Sequence, residues 1–317
     1  MAPQIIFLLV AFLLASAGAP FKVNPPSLHE IYQFPNGTWI ENIAVRNNGN
    51  ILVTLANAPE LWEVISTTKR EANQARLVHN FTRAEMTTGI TELASDVFAV
   101  ATPDSVWKVD LNDHGKRVPT RLATLPAGNL NGMATLNRES GTVVISDSQA
   151  GLVWRLDTNT GNYTVILKDE TMAANTKEGL LLGINGIQVH GDYVYYVNTP
   201  ERLFCRIPVD LMTGQAVGAT EIISRNAIAD DFAISDQGVV YLAGLRENVA
   251  IQLFANGTQK VVAGSRNSTT LMTATSAAFG CGLRSSVLYI TTGGETDHPT
   301  DSTASRGGKV MALALGH

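Results

Sequence analysis

Across 317 residues there are only two cysteines, too few for a disulfide framework or a cysteine-rich zinc module. Charged residues are 16% of the chain, aromatic residues 7%, and the formal net charge is −5. The chain therefore lacks the basic face that nucleic acid requires, and it lacks the charge density of a disordered tail. No stretch is long enough for a stable membrane span: the uninterrupted apolar run from Ile5 to Ala15 is too short to cross a bilayer comfortably. There is no Gly-x-Ser-x-Gly elbow, no phosphate loop ahead of a helix, and only six histidines. A Ser-His-Asp triad cannot be assembled from these residues at the one place where the blade pattern would put a channel mouth. Hydrophobic residues, at 45%, are plentiful enough to fill a large core.

The apolar run leads into Ala15-Ser16-Ala17, a small-residue pattern that suits signal peptidase. Residues 1–17 are expected to be a secretory signal and 18–317 a single domain; a signal anchor is the rival reading. Five glycosylation sequons begin at Asn36, Asn80, Asn162, Asn256 and Asn267 and fit the secretory pathway.

Internal repetition organises the remainder. The segments around Ile43, Ile90, Met133, Ile187, Phe232 and Ala277 align at spacings of 47, 43, 54, 45 and 45 residues. Each is followed by a turn and a β-rich strand, such as Ile51 to Thr54 or Tyr193 to Val197, then by a third strand such as Glu60 to Val64. Four short strands per unit at this period predict an all-β, six-bladed β-propeller with antiparallel blades around a central channel. The sixth unit stops at its third strand, so Leu28 to Phe34 is expected to supply the fourth and leave no open sheet edge. Trp62, Trp107 and Trp154 recur at one third-strand position and read as core between blades. Cys205 and Cys281 fall on blades that do not touch, which predicts two buried free thiols.

In a propeller the first strand of each blade starts at a common mouth. The residues just before the aligned apolar positions form a ring there: Glu41 and Asn42, Thr88, Asn131, Asn185, Asp230 and Asp231, Thr275 and Ser276. Carboxylate and amide oxygens on one axis suit a hard divalent cation, and equally suit a solvated channel lined for turn reasons. Trp39 precedes Glu41 at the mouth and could floor an apolar ligand site. Of the histidines only His298 maps to the mouth side, in the long Thr291–Gly308 loop.

These ring residues resemble those of the gluconolactonase and senescence-marker-protein family of six-bladed propellers. The matches are Glu41 in Trp39-Ile40-Glu41-Asn42, Asn185 in Ile184-Asn185-Gly186, and Asp230 in Ala229-Asp230-Asp231, which lacks the family's flanking Pro and Gly. The resemblance implies that Glu41, Asn185 and Asp230 hold Ca2+ or another divalent metal, and that Asn131 contacts substrate or metal-bound water. The leader, the segment Ile31 to Val45 and the run Asn50 to Leu55 are further similar to secreted fungal propellers, among them the hetero-Diels–Alderases of tropolone–sesquiterpenoid biosynthesis. That resemblance implies coupling of a tropolone-derived quinone methide with a humulene-type olefin.

Such a cycloaddition requires no cofactor, only a dry cavity that holds two apolar small molecules in reacting geometry. Thr88, Asn131 and Asn185 would donate to the heterodiene carbonyl, with Thr275 as a further ring contact and Trp39 and Phe279 as apolar wall. Glu41 or Asp230 would assist loss of water as the quinone methide forms. The alternatives are a metal-dependent lactone hydrolase and a non-catalytic ligand-binding propeller, which fold alone cannot separate. Oligomeric state is not legible in the sequence.

Overall fold

The computed structural model describes residues 27–66, 74–112, 118–177, 179–295 and 306–315. The leader, His114, His298, His317 and the middle of the Thr291–Gly308 loop lie outside the described residues.

The described chain opens with β1 (Ser27–Gln33) and then lays down blades in sequence order. Blade one is β2 (Ile40–Val45), β3 (Ile51–Leu55), β4 (Glu60–Ile65) and β5 (Gln74–Asn80). Blade two is β6 (Ile90–Ala94), β7 (Val97–Ala101), β8 (Ser105–Asp110) and β9 (Thr120–Thr124). Blade three is β10 (Leu130–Asn137), β11 (Thr142–Asp147), β12 (Leu152–Asp157) and β13 (Tyr163–Leu167). Blade four is β14 (Ile184–His190), β15 (Tyr193–Asn198), β16 (Leu203–Pro208) and β17 (Glu221–Ser224). Blade five is β18 (Phe232–Ile234), β19 (Val240–Gly244), β20 (Val249–Leu253) and β21 (Gln259–Gly264). Blade six is β22 (Ala274–Phe279), β23 (Val287–Thr292) and β24 (Lys309–Ala314), completed by β1. The β1–β24 ladder is antiparallel, from Ser27 opposite Ala314 to Gln33 opposite Lys309, so the two ends of the chain close the ring as the truncated sixth repeat requires.

The strands are graded in burial for a geometric reason. Second strands lie between neighbouring blades and are covered on both faces, so β3 and β19 are buried at every residue and read as near-continuous apolar runs. The outer β5 and β21 alternate or face solvent. The core divides into six clusters, one at each blade interface; Phe204 of blade four, for example, meets Phe232 of blade five edge-on at 4.9 Å. The repeated tryptophans cap the outer ends of these clusters. Trp154 is buried, whereas Trp62 and Trp107 are half-buried.

One polar group crosses from blade one to blade two. Glu63 is wholly buried and accepts from Arg46, Arg76 and Asn50, and Arg46 also donates to Asp96 at 2.8 Å. These partners hold the Glu63 carboxyl below its ordinary pKa against the opposing effect of burial.

Asn36, Asn162, Asn256 and Asn267 are exposed, in turns or between strands. Asn80 is half-buried at the end of β5, and its amide nitrogen donates to Glu60 at 3.0 Å. Both cysteines are free, but they differ from the expected buried pair: Cys205 is buried inside blade four, while Cys281 is exposed just after β22, where the chain has left the inter-blade core. Among the described residues no helix is long and apolar enough to cross a membrane.

Candidate functional site

The inner strands begin in two tiers. The lower tier is Asn42, Gly89, Gly132, Gly186, Asp231 and Ser276, one residue from each blade. In blades two to four this position is glycine because the next blade's backbone lies against it. A Cβ on Gly132 would sit 2.8 Å from the Asn185 carbonyl oxygen, and one on Gly186 would sit 2.6 Å from the Asp231 Cα. In the other three blades side chains fill the space. Asn42 Nδ2 donates to Asp231 Oδ2 at 3.0 Å, and Ser276 Oγ donates to the same oxygen at 2.9 Å. Asp231 is thus a buried clasp beneath the mouth rather than a member of its rim.

Above this clasp lies a cavity of about 400 Å³. Glu41, Thr88, Asn131, Asn185 and Asp230 line it, as the ring alignment predicts, and Asp230 faces it despite the absent Pro and Gly. Trp39, Met86, Leu182 and Ile228 give it apolar wall, and Arg202, Arg246 and Arg266 reach it from the second-to-third-strand loops and the blade-five exit. The Trp39 indole is 5% exposed and packs on Gly293, where a Cβ would lie 2.7 Å from ring carbons. None of the described histidines lines this cavity.

Hydrogen bonding decides which of these groups is free to act. The Thr88 hydroxyl donates to the Leu130 carbonyl at 2.9 Å and has no further proton to offer. The Thr199 hydroxyl donates to the Ala229 carbonyl at 2.8 Å, so it can only accept from Asn185 Nδ2, at 3.0 Å. That fixes the Asn185 amide, whose other N–H donates to Asp230 Oδ1 at 2.5 Å. Asn185 and Thr88 therefore shape the floor instead of donating to a ligand. Asn131 is different: its backbone carbonyl accepts from Gly89, while among the described residues its side-chain amide makes no hydrogen bond. It is the uncommitted amide of the floor.

The floor carboxyls favour their neutral forms. Burial raises the Glu41 pKa well above its ordinary value, with repulsion from Asp230 and Asp231 adding to the effect. Burial and the neighbouring Asp231 push Asp230 up to about 7, and burial pushes Asp231 up to about 6. Among the described residues, Glu41 Oε2 is buried without a hydrogen-bond partner. Glu41 and Asp230 suit a hard cation by chemistry; Asn185, as Thr199 holds it, presents N–H rather than oxygen to Asp230. Among the described residues no group of three or more His, Cys, Asp or Glu side chains is arranged to hold a metal.

Two expected substrate contacts are elsewhere. Thr275 is fully buried and donates to Thr291 Oγ1 at 3.0 Å, turned from the cavity into its own blade. Phe279 lies at the far end of β22, four residues or about 13 Å down the inner strand. There it packs edge-on against Tyr241 at 5.7 Å and lines a separate, smaller cavity of about 210 Å³. The groups missed by the ring alignment, Met86, Leu182, Ile228 and Arg202, come from connecting loops, which the repeat pattern does not index.

No protein-family profile matches the chain. A protein of Sarocladium schorii provisionally named a hetero-Diels–Alderase is 29% identical, over 84% of this chain and 78% of its own length. A second protein provisionally given that name, from a Phoma species, is 28% identical over 82% of this chain and 85% of its own. Among solved structures, a calcium-binding regucalcin from Agrobacterium tumefaciens superposes with a TM-score of 0.68 at 18% identity, covering 92% of this chain and 95% of that one. A gluconolactonase from Xanthomonas campestris superposes at 0.63 with 14% identity, covering 91% and 89%. The chain is a six-bladed propeller of the gluconolactonase and regucalcin shape, similar in sequence to proteins named hetero-Diels–Alderases.

Proposed function

We propose that this chain is a pericyclase-type enzyme that couples a tropolone-derived quinone methide with a humulene-type olefin by hetero-Diels–Alder addition. The observation that carries the reading is the mouth cavity, which sets apolar wall around one free amide donor, Asn131, and carboxyls biased toward their neutral forms. Confinement of two reactants beside Trp39, Met86 and Ile228 lowers the entropic part of the barrier. Asn131 donates to the heterodiene oxygen, where negative charge grows as the new bonds form. Formation of the quinone methide is a net loss of one water. A floor carboxyl, Glu41 or Asp230, protonates the departing hydroxyl, and the ring hydroxyl of the precursor releases a proton in exchange. The names of the two sequence relatives support this reaction class.

The test is direct. Purified protein is incubated with the quinone-methide precursor and olefin, and the adduct is followed by liquid chromatography. The expected result is one stereoisomer formed above the uncatalysed rate, with Asn131→Ala about 100-fold slower, as for loss of one oxyanion donor. An adduct rate and isomer ratio equal to those without protein would exclude the reading.

A second reading, a divalent-metal-dependent lactone hydrolase, is favoured by the unpartnered Glu41 Oε2. Glu41 and Asp230 would hold the ion, which when bound would supply Lewis acidity toward a lactone carbonyl. Asn185, whose amide nitrogen is held by Thr199 and Asp230, could add only its amide oxygen to such a site. Lactone hydrolysis that disappears on chelation and returns with added Ca2+ would select this reading, whereas ligand binding without any turnover would leave a non-catalytic propeller. Secretion, with glycans at the exposed sequons, is part of the proposal and is read by deglycosylation of protein recovered from culture medium.

A further inference from the structure

We propose that Arg202 forms an oxyanion-recognition subsite at the rim of the mouth cavity, so that the ligand carries an acidic, delocalised oxygen head on an otherwise apolar body. This rests on the mouth cavity being the ligand site, the first premise of the proposed function.

The backbone of Arg202 is the starting point. Blades three, four and five each join their second and third strands by a four-residue loop, at 148–151, 199–202 and 245–248. The last residue of each loop adopts a left-handed conformation: Gly151 at φ +64°, Arg202 at +56° and Asn248 at +56°. Glycine suits that geometry without strain. Asn248 uses its side chain to hold the turn, donating to the Arg266 carbonyl and accepting from the Thr273 amide, each at 2.8 Å. The other non-glycine residues at positive φ are likewise explained by their side chains: Asp96 accepts from Arg46, and Thr273 donates to the Gly294 carbonyl. Among the described residues the Arg202 side chain makes no hydrogen bond or ion pair. The strained position therefore has no structural compensation, and the side chain it presents is exposed and lines the cavity.

The surroundings keep that charge available and fixed in place. The adjacent Glu201 does not neutralise it, because its carboxylate takes Lys177 at 2.6 and 2.8 Å and Asn175 at 2.7 Å. Arg266 faces Glu247 at 3.7 Å, and Arg246 has its own interactions, so neither substitutes for Arg202. The Arg202 amide donates to the Thr199 carbonyl, and its own carbonyl accepts from Ala227 at 2.8 Å, so the turn is pinned on both sides. The same turn carries Thr199, which orients Asn185 on the floor. One hairpin thus sets both ends of the site. Arg202 puts an unpaired guanidinium at the rim, and the floor carboxyls, biased toward their neutral forms, offer an anion no charge to pair with, so an anionic head lies outward against Arg202 with the apolar body against Trp39 and Ile228.

Naphthalene-2-carboxylate and its uncharged carboxamide separate the two ideas, with binding read by titration calorimetry. The expected result is about tenfold tighter binding of the carboxylate by the native protein. Arg202→Gly is expected to bind both probes within about twofold of the native carboxamide affinity while melting at a higher temperature, because glycine relieves the turn. Gain of stability with loss of anion preference cannot be produced by misfolding. Equal binding of the two probes by native protein, or a preference that survives Arg202→Gly, would overturn the subsite alone. Failure of both probes to bind native protein would overturn the cavity as a ligand site, and the subsite with it.

Discussion

Asp230→Asn is expected to make the protein more stable at neutral and alkaline pH, and only there. In the folded protein burial and Asp231 raise the Asp230 pKa to about 7 from its ordinary 3.8. A carboxyl raised on folding favours the folded state while protonated, so stability is highest below the unfolded pKa and is lost as pH rises through the folded one. The window is therefore 3.8 to about 7. A shift of about three pH units corresponds to roughly 4 kcal/mol. Asp230 is half-buried and lines the open mouth cavity, so solvent screening reduces the cost to about 2 kcal/mol. Asparagine removes the charge and keeps a carbonyl oxygen for the Asn185 N–H. Urea unfolding of both proteins in chelator-containing buffer should show a gain of about 2 kcal/mol at about pH 8 and under about 0.5 kcal/mol at about pH 4. Equal effects at the two pH values, or destabilisation at the higher one, would refute the account of the floor as neutral by burial. Added Ca2+ gives a further contrast: if it stabilises the native protein but not the variant, the hydrolase reading gains over the cyclase.

Three other outcomes follow from the packing and hydrogen bonds of the protein. Glu63→Ala takes one of two carboxylate partners from the buried Arg46, which keeps Asp96, and frees the exposed Arg76 to water; it should cost about 2–4 kcal/mol in urea unfolding, with the midpoint falling and the slope unchanged. Gly293→Ala drives a methyl into the Trp39 ring; naphthalene-2-carboxamide affinity should fall at least about fivefold, with a stability loss of about 1–3 kcal/mol typical of overpacking. In a thiol-reagent assay on native protein, Cys281 should react while Cys205, buried and pushed up to about 11, should react only after unfolding.

The blade count was readable because each repeat carries its own turn chemistry and strand pattern within about 45 residues, and that information is local. The closing strand was readable because a three-stranded last unit leaves an edge that the chain itself must cover. Phe279 was misplaced although the rise of a strand is known: four residues beyond the mouth is already the other end of the blade. Thr88 and Asn185 line the cavity as the ring alignment expects, but their donor hydrogens go to Leu130 of blade three and, for Asn185, to Thr199 of its own blade and Asp230 of blade five.

By itself, then, the amino-acid order determined the six-part wheel, its method of closure and the identity of five residues at one end of its axis. These follow from periodicity and strand register, which act over a few residues. Only the tertiary structure decided that Asp231 is clasped by Asn42 and Ser276 and that, among the described residues, Asn131 is the amide left free and Arg202 stands unpaired in a turn where its neighbour blade has glycine. Those properties depend on groups up to 234 positions apart meeting across a buried axis, as Ser276 meets Asn42. A hydrogen-bond donor can serve few partners at once, and which ones it serves is settled by packing.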